Sequence, residues 1–150
     1  MTKDAAMKAL LNAAERLSSD PNLAQAEIGI RDVAIEVVPK FVSDTPVACA
    51  FIEFLDESSV VIEMGRESHY DLDTDCPRAL IDEVLAVVSA IVQEGLTETL
   101  WIKDDKVVAS KVQFADGSTI HNHSLKSRRG ARVETVTYLP YPGGKPSPIE

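Results

Sequence analysis

Val47–Leu55 and Val60–Gly65 are two β-rich runs separated by only four polar residues, Asp56, Glu57, Ser58 and Ser59. A link that short turns the chain back on itself. A parallel neighbour would need a crossover of roughly a dozen residues. The stretch therefore predicts an antiparallel hairpin, with Ile52 and Phe54 on one face and Val60, Ile62 and Met64 on another. The last third repeats the pattern. Thr97–Lys103, Val107–Phe114 and Arg132–Leu139 read as strands, with turns at Asp104-Asp105 and Asp116-Gly117. Ser118–His123 is expected to pair after the second turn.

Two segments carry helical periodicity. Met7, Leu10, Leu11, Ala14 and Leu17 recur on one face of a helix over residues 3–18, which Ser18 to Pro21 ends. Leu80, Val84, Val87, Val88 and Ile91 form a stripe over Cys76–Glu94, widened by Ile81, Leu85 and Val92. Thr74 or Asp75 can cap that helix, Pro77 suits its first turn, and Gly95 suits the position after its end. Glu27–Val38 fits either a strand or a helix, and its β-branched residues with Pro39 favour a strand. The expectation is one α+β domain over residues 1–139. A mainly antiparallel sheet of about six strands carries two helices on one face. Residues 140–150, with four prolines and Gly143-Gly144, read as a loosely ordered tail.

Charge is distributed unevenly. The net charge is −9, yet residues 101–150 hold eight basic against five acidic side chains. Residues 52–83 hold ten acids against Arg66 and Arg78. An acidic surface repels nucleic acid and steers basic partners toward it. Glu53, Asp56, Glu57, Asp71 and Asp73 are the expected contacts for a basic protein partner. Glu53 and Glu63 can also face each other across the hairpin.

Other chemistry is less marked. His121 and His123 stand two apart, a spacing that puts both on one side of a strand. Lys126, Arg128, Arg129 and Arg132 follow within a few residues, so the group is a candidate phosphate or nucleotide site, with hydrolysis as its enzymatic form. Asp71, Asp73, Asp75 and Asp82 echo the spacing of a calcium loop. Cys76 stands where the loop needs glycine, so no metal is expected. Glycine-rich phosphate loops, the GxSxG elbow, HExxH and CxxC are absent, and no cofactor is expected. Cys49 reads as a buried small hydrophobe, and two cysteines with no secretory leader suggest a reducing, cytoplasmic setting without a membrane span.

Trp101, between Leu100 and Ile102, is expected beneath the C-terminal tail or in a homodimer contact. The whole profile is that of a non-enzymatic, acidic protein-binding domain. It is shared by bacterial immunity and inhibitor proteins that mask a toxin or enzyme. A phosphate-binding protein and a homodimeric structural domain are the alternatives.

Overall fold

A computed structural model describes residues 2–41, 44–123 and 128–143. Helix α1 (Thr2–Ser19) is followed by a single 3-10 turn at Pro21–Leu23 and by five strands: β1 (Ala26–Arg31), β2 (Ala34–Pro39), β3 (Ala50–Phe54), β4 (Ser59–Met64) and β5 (Ser68–Asp73). Helix α2 (Pro77–Glu94) then leads into β6 (Leu96–Lys103), β7 (Lys106–Phe114), β8 (Thr119–His123) and β9 (Arg132–Tyr138). All pairings are antiparallel. Sheet A runs β1-β2-β3-β4-β5 and sheet B runs β8-β7-β6-β9.

The α+β class and the two helices agree with the sequence reading, but the sheet of about six strands does not. The described residues form nine strands in two sheets. Two misread segments account for the difference. Glu27–Val38 is a hairpin, not one strand, and it turns through Asp32 and Val33. Asp32 adopts φ 55°, a left-handed conformation that aspartate tolerates better than most residues. Ser68–Asp73, whose aspartates suggested an open loop, is the edge strand β5, registered against β4.

The core lies between the helices and the inward side of sheet A. Leu10, Ala13 and Leu17 of α1 and Leu80, Val84, Val88 and Ile91 of α2 meet Ile35, Ile52, Phe54 and Ile62. Each such Leu, Ile, Val or Phe side chain contributes about 1.5–3 kcal/mol on burial. Leu11, expected on that face, is instead exposed, and Ala6 and Ala13 point inward. Small residues there let α1 approach α2 closely. The N-cap position of α2 is Cys76, without a side-chain cap, and Thr74 accepts from the Cys76 N–H. Gly95 ends α2 at φ 74°, where an added Cβ would lie 2.1 Å from the Tyr138 carbonyl oxygen.

Sheet B is fastened to sheet A by polar groups. Glu98 on β6 is fully buried, and its carboxylate accepts from the backbone N–H of Arg66 (2.8 Å) and Glu67 (3.0 Å). It also accepts from Ser68 Oγ (2.7 Å) and the Tyr138 hydroxyl (3.2 Å). The turn between β4 and β5 is thus clasped by one side chain from the other sheet. Gly65 makes this possible, since a Cβ there would stand 2.6 Å from Glu98 Oε1. The chain of bonds continues from Ser68 to Ser110 and on to Asn122, which accepts the His69 N–H at 2.9 Å. The Asn122 amide therefore stands in for strand pairing where β8 runs beside β5.

The chain beyond β9 is also anchored. Tyr141 is buried, its N–H bonds the Val92 carbonyl, and its hydroxyl donates to the carbonyls of Ala48 (2.7 Å) and Val37 (3.2 Å). Ordered packing thus extends past residue 139. Residues 144–150 of the expected tail lie outside the described residues.

Candidate functional site

The outward side of sheet A is built by strict alternation. On β2, β3 and β4 every second side chain enters the core, and the others face out. Register then sets two rows across the sheet. One runs Gly29, Glu36, Phe51, Glu63, His69, and the next runs Arg31, Ala34, Glu53, Val61, Asp71, with the Arg31 cation at the β1 edge. Glu53 and Glu63 share this face on a diagonal and are not directly opposite. Asp73 follows two residues after Asp71 on the same side and accepts from the Ser59 hydroxyl. The result is a groove of about 680 Å³ with Val38, Phe51 and Val61 on its floor and Glu36, Glu63 and Asp71 along its flanks.

Of the five acids expected to meet a partner, the fold brings Glu53, Asp71 and Asp73 onto this face. Asp56 and Glu57 sit in the β3–β4 turn at the end of the same hairpin. Asp56 is engaged locally, because Ser58 donates to it from both N–H (2.8 Å) and Oγ (3.1 Å). The Ser58 N–H holds its carboxyl below the usual range for aspartate. Glu36 and Phe51 were not anticipated as site residues. Their signal was present in the alternation of Ile35-Glu36-Val37 and Ala50-Phe51-Ile52, though it needed the hairpin at Asp32 to be recognised.

Charge on this face is poorly compensated. Among the described residues, His69 reaches Asp71 at 3.8 Å, while no ion pair engages Glu36, Glu53 or Glu63. Arg66 borders the groove but pairs with Glu134 at 3.0 Å. Cys49, expected in the core, is exposed and lines the groove; partial burial and the nearby Glu36 carboxylate push its thiol pKa up. A raised pKa disfavours the thiolate form of this cysteine.

No protein family, no curated protein and no solved structure matches this chain.

The expected basic cluster is divided by the strand geometry. His121 lies opposite Lys111 on the outward side of sheet B, and His123 occupies the register position opposite Ala109. Arg128 stacks on Trp101, its guanidinium carbon 4.2 Å from the ring centroid. Arg132 is on the other side of the sheet, where it bonds Glu134 at 3.2 Å and approaches Asp105 at 4.0 Å. Arg129 is exposed, and Lys126 lies outside the described residues. Trp101 is partly buried with Arg128 over its ring, while Tyr141 packs elsewhere. Asp71 and Asp73 lie on a paired strand, not a cation-binding loop. Among the described residues no group of three His, Cys, Asp or Glu side chains is placed to hold a metal. None of their helices is long and apolar enough to cross a membrane.

Proposed function

We propose that this chain is a non-enzymatic binding domain whose acidic face on sheet A receives a basic partner. Its sharpest form is an inhibitor or immunity protein that occludes an electropositive cleft of a toxin or enzyme. The observation that carries this reading is the pairing of an apolar floor, Phe51 with Val38 and Val61, with the carboxylates of Glu36, Glu53 and Glu63, which enter no ion pair among the described residues. Uncompensated carboxylates around an apolar patch recruit a cation by long-range attraction, and the patch then supplies contact energy. Asp56 and Glu57 at the hairpin tip extend the same sign of charge beyond the groove.

Capture of partners on the immobilised chain tests this directly. The wild type is expected to retain a basic protein, and the double variant Glu53→Lys/Asp71→Lys is expected to lose it by at least tenfold in affinity. Both side chains face outward, so the variant should keep its fold. Equal capture by wild type and variant would overturn the reading.

A further inference from the structure

The outward side of sheet B has the opposite character to that of sheet A. Its strand positions are Thr97, Thr99, Trp101 and Lys103 on β6, Ala109, Lys111 and Gln113 on β7, and Val133, Thr135 and Thr137 on β9, with Thr119 and His121 on β8. No carboxylate occurs among these positions, although the chain as a whole carries −9. Lys103 and Lys111 enter no ion pair among the described residues. Arg128 adds a further cation above Trp101, and Val133 is 56% exposed beside it.

The geometry points to a second copy of this chain as an occupant of the acidic groove, docked through the outward side of sheet B. Each half of that contact is present in the same molecule. The acidic half offers Glu36, Glu53, Glu63 and Asp71 around Phe51, and the basic half offers Lys111, Lys103 and Arg128 around Trp101. Nucleic acid fits the basic half less well, because it holds a single aromatic ring and Arg128 already covers one side of it. Two copies repel at a distance through their net charge. At physiological salt that repulsion is screened beyond about 8 Å, while charges brought into contact still attract. The contact is heterologous, joining unlike surfaces, so it extends head to tail instead of closing as a symmetric pair. It rests on the reading of the groove as a binding face, and it makes self-association compete with the basic partner for that groove.

Sedimentation velocity on the full chain and on two charge reversals tests it. Wild type at about 0.15 M salt should show concentration-dependent association that is lost near 1 M. Lys111→Glu and Asp71→Lys should each be monomeric alone. An equimolar mixture of the two should form a dimer, because one variant keeps an intact groove and the other an intact basic face. Lys111→Gln and Asp71→Asn provide milder versions whose fold is checked by circular dichroism. A monomeric wild type, association retained by either reversal, or a mixture that stays monomeric would each overturn the proposal. Capture of the basic partner separates this outcome from failure of the groove itself. Lys111→Glu should leave capture intact, whereas Asp71→Lys should weaken it.

Discussion

Glu98 and Glu53 are glutamates on central strands of the two sheets, and the fold treats them in opposite ways. Glu98 is turned inward on sheet B and accepts four hydrogen bonds from Arg66, Glu67, Ser68 and Tyr138. Glu53 is turned outward on sheet A, in a row with Val61 and Asp71, and no ion pair among the described residues engages it. A buried carboxylate survives only when its lone pairs are satisfied, so Glu98 is a structural clasp. A surface carboxylate can remain uncompensated because water solvates it. An accumulation of such groups around an apolar floor is what a binding surface requires.

Removing the clasp should have the largest effect. Glu98→Ala leaves two backbone N–H groups and two hydroxyls without their acceptor, and is expected to cost about 3–5 kcal/mol. For a chain of this size that lowers the thermal midpoint by roughly 10 °C or more. Glu98→Gln keeps one acceptor oxygen and should lose less. A loss below about 1 kcal/mol for the alanine variant in chemical denaturation would break the contrast between the two glutamates.

Alkaline titration probes the same junction more gently. Burial, reinforced by the negative charge of Glu98 and its hydrogen bond, pushes the Tyr138 pKa from 10.0 up to about 12. The folded value is raised, so the stabilisation is complete below about pH 10 and is lost as pH rises through about 12. Tyr141 is shifted the same way by its burial. Denaturation midpoints should therefore fall across that interval, and Tyr138→Phe should reduce the slope. An unchanged slope in the Phe variant would dissociate Tyr138 from the clasp.

The smallest effect on stability belongs to the outward acids. Glu53→Gln and Asp71→Asn should change folding free energy by no more than about 0.5 kcal/mol, with relief of like-charge repulsion favouring the variants. A large destabilisation measured by thermal unfolding would place these side chains in the same structural class as Glu98.

Much of the architecture is legible in the sequence alone. The wide stripe of α2, the glycine after its end, and the turns at Asp104-Asp105 and Asp116-Gly117 are local signals, and each corresponds to an element. Both Asp104 and Asp105 adopt positive φ, as a two-residue hairpin turn requires. The hairpin at Asp32 is hidden in the sequence because its Asp32-Val33 turn has no glycine and β-branched residues continue on both sides of it. Strand β5 was missed because only Tyr70 and Leu72 mark its inward side, and its alternating aspartates imitate a loop. Of the candidate site, the acidic block and its members Glu53, Asp71 and Asp73 were readable from composition and spacing. Glu36 and Phe51, the groove beneath them, and the separation of Arg132 from His121 depended on register.

The sequence by itself determined that the strands are antiparallel, that two helices carry apolar stripes, and that acid and base are segregated along the chain. These follow from turn length, period and charge, all of which act between near neighbours. The tertiary structure decided which acids were buried and which were left to solvent. Alternation creates two sides to every strand, but only packing against α1 and α2 chooses the covered one. Glu98 meets Arg66 and Glu67 about thirty residues away because the β4–β5 turn lands on sheet B, and no local signal encodes that landing.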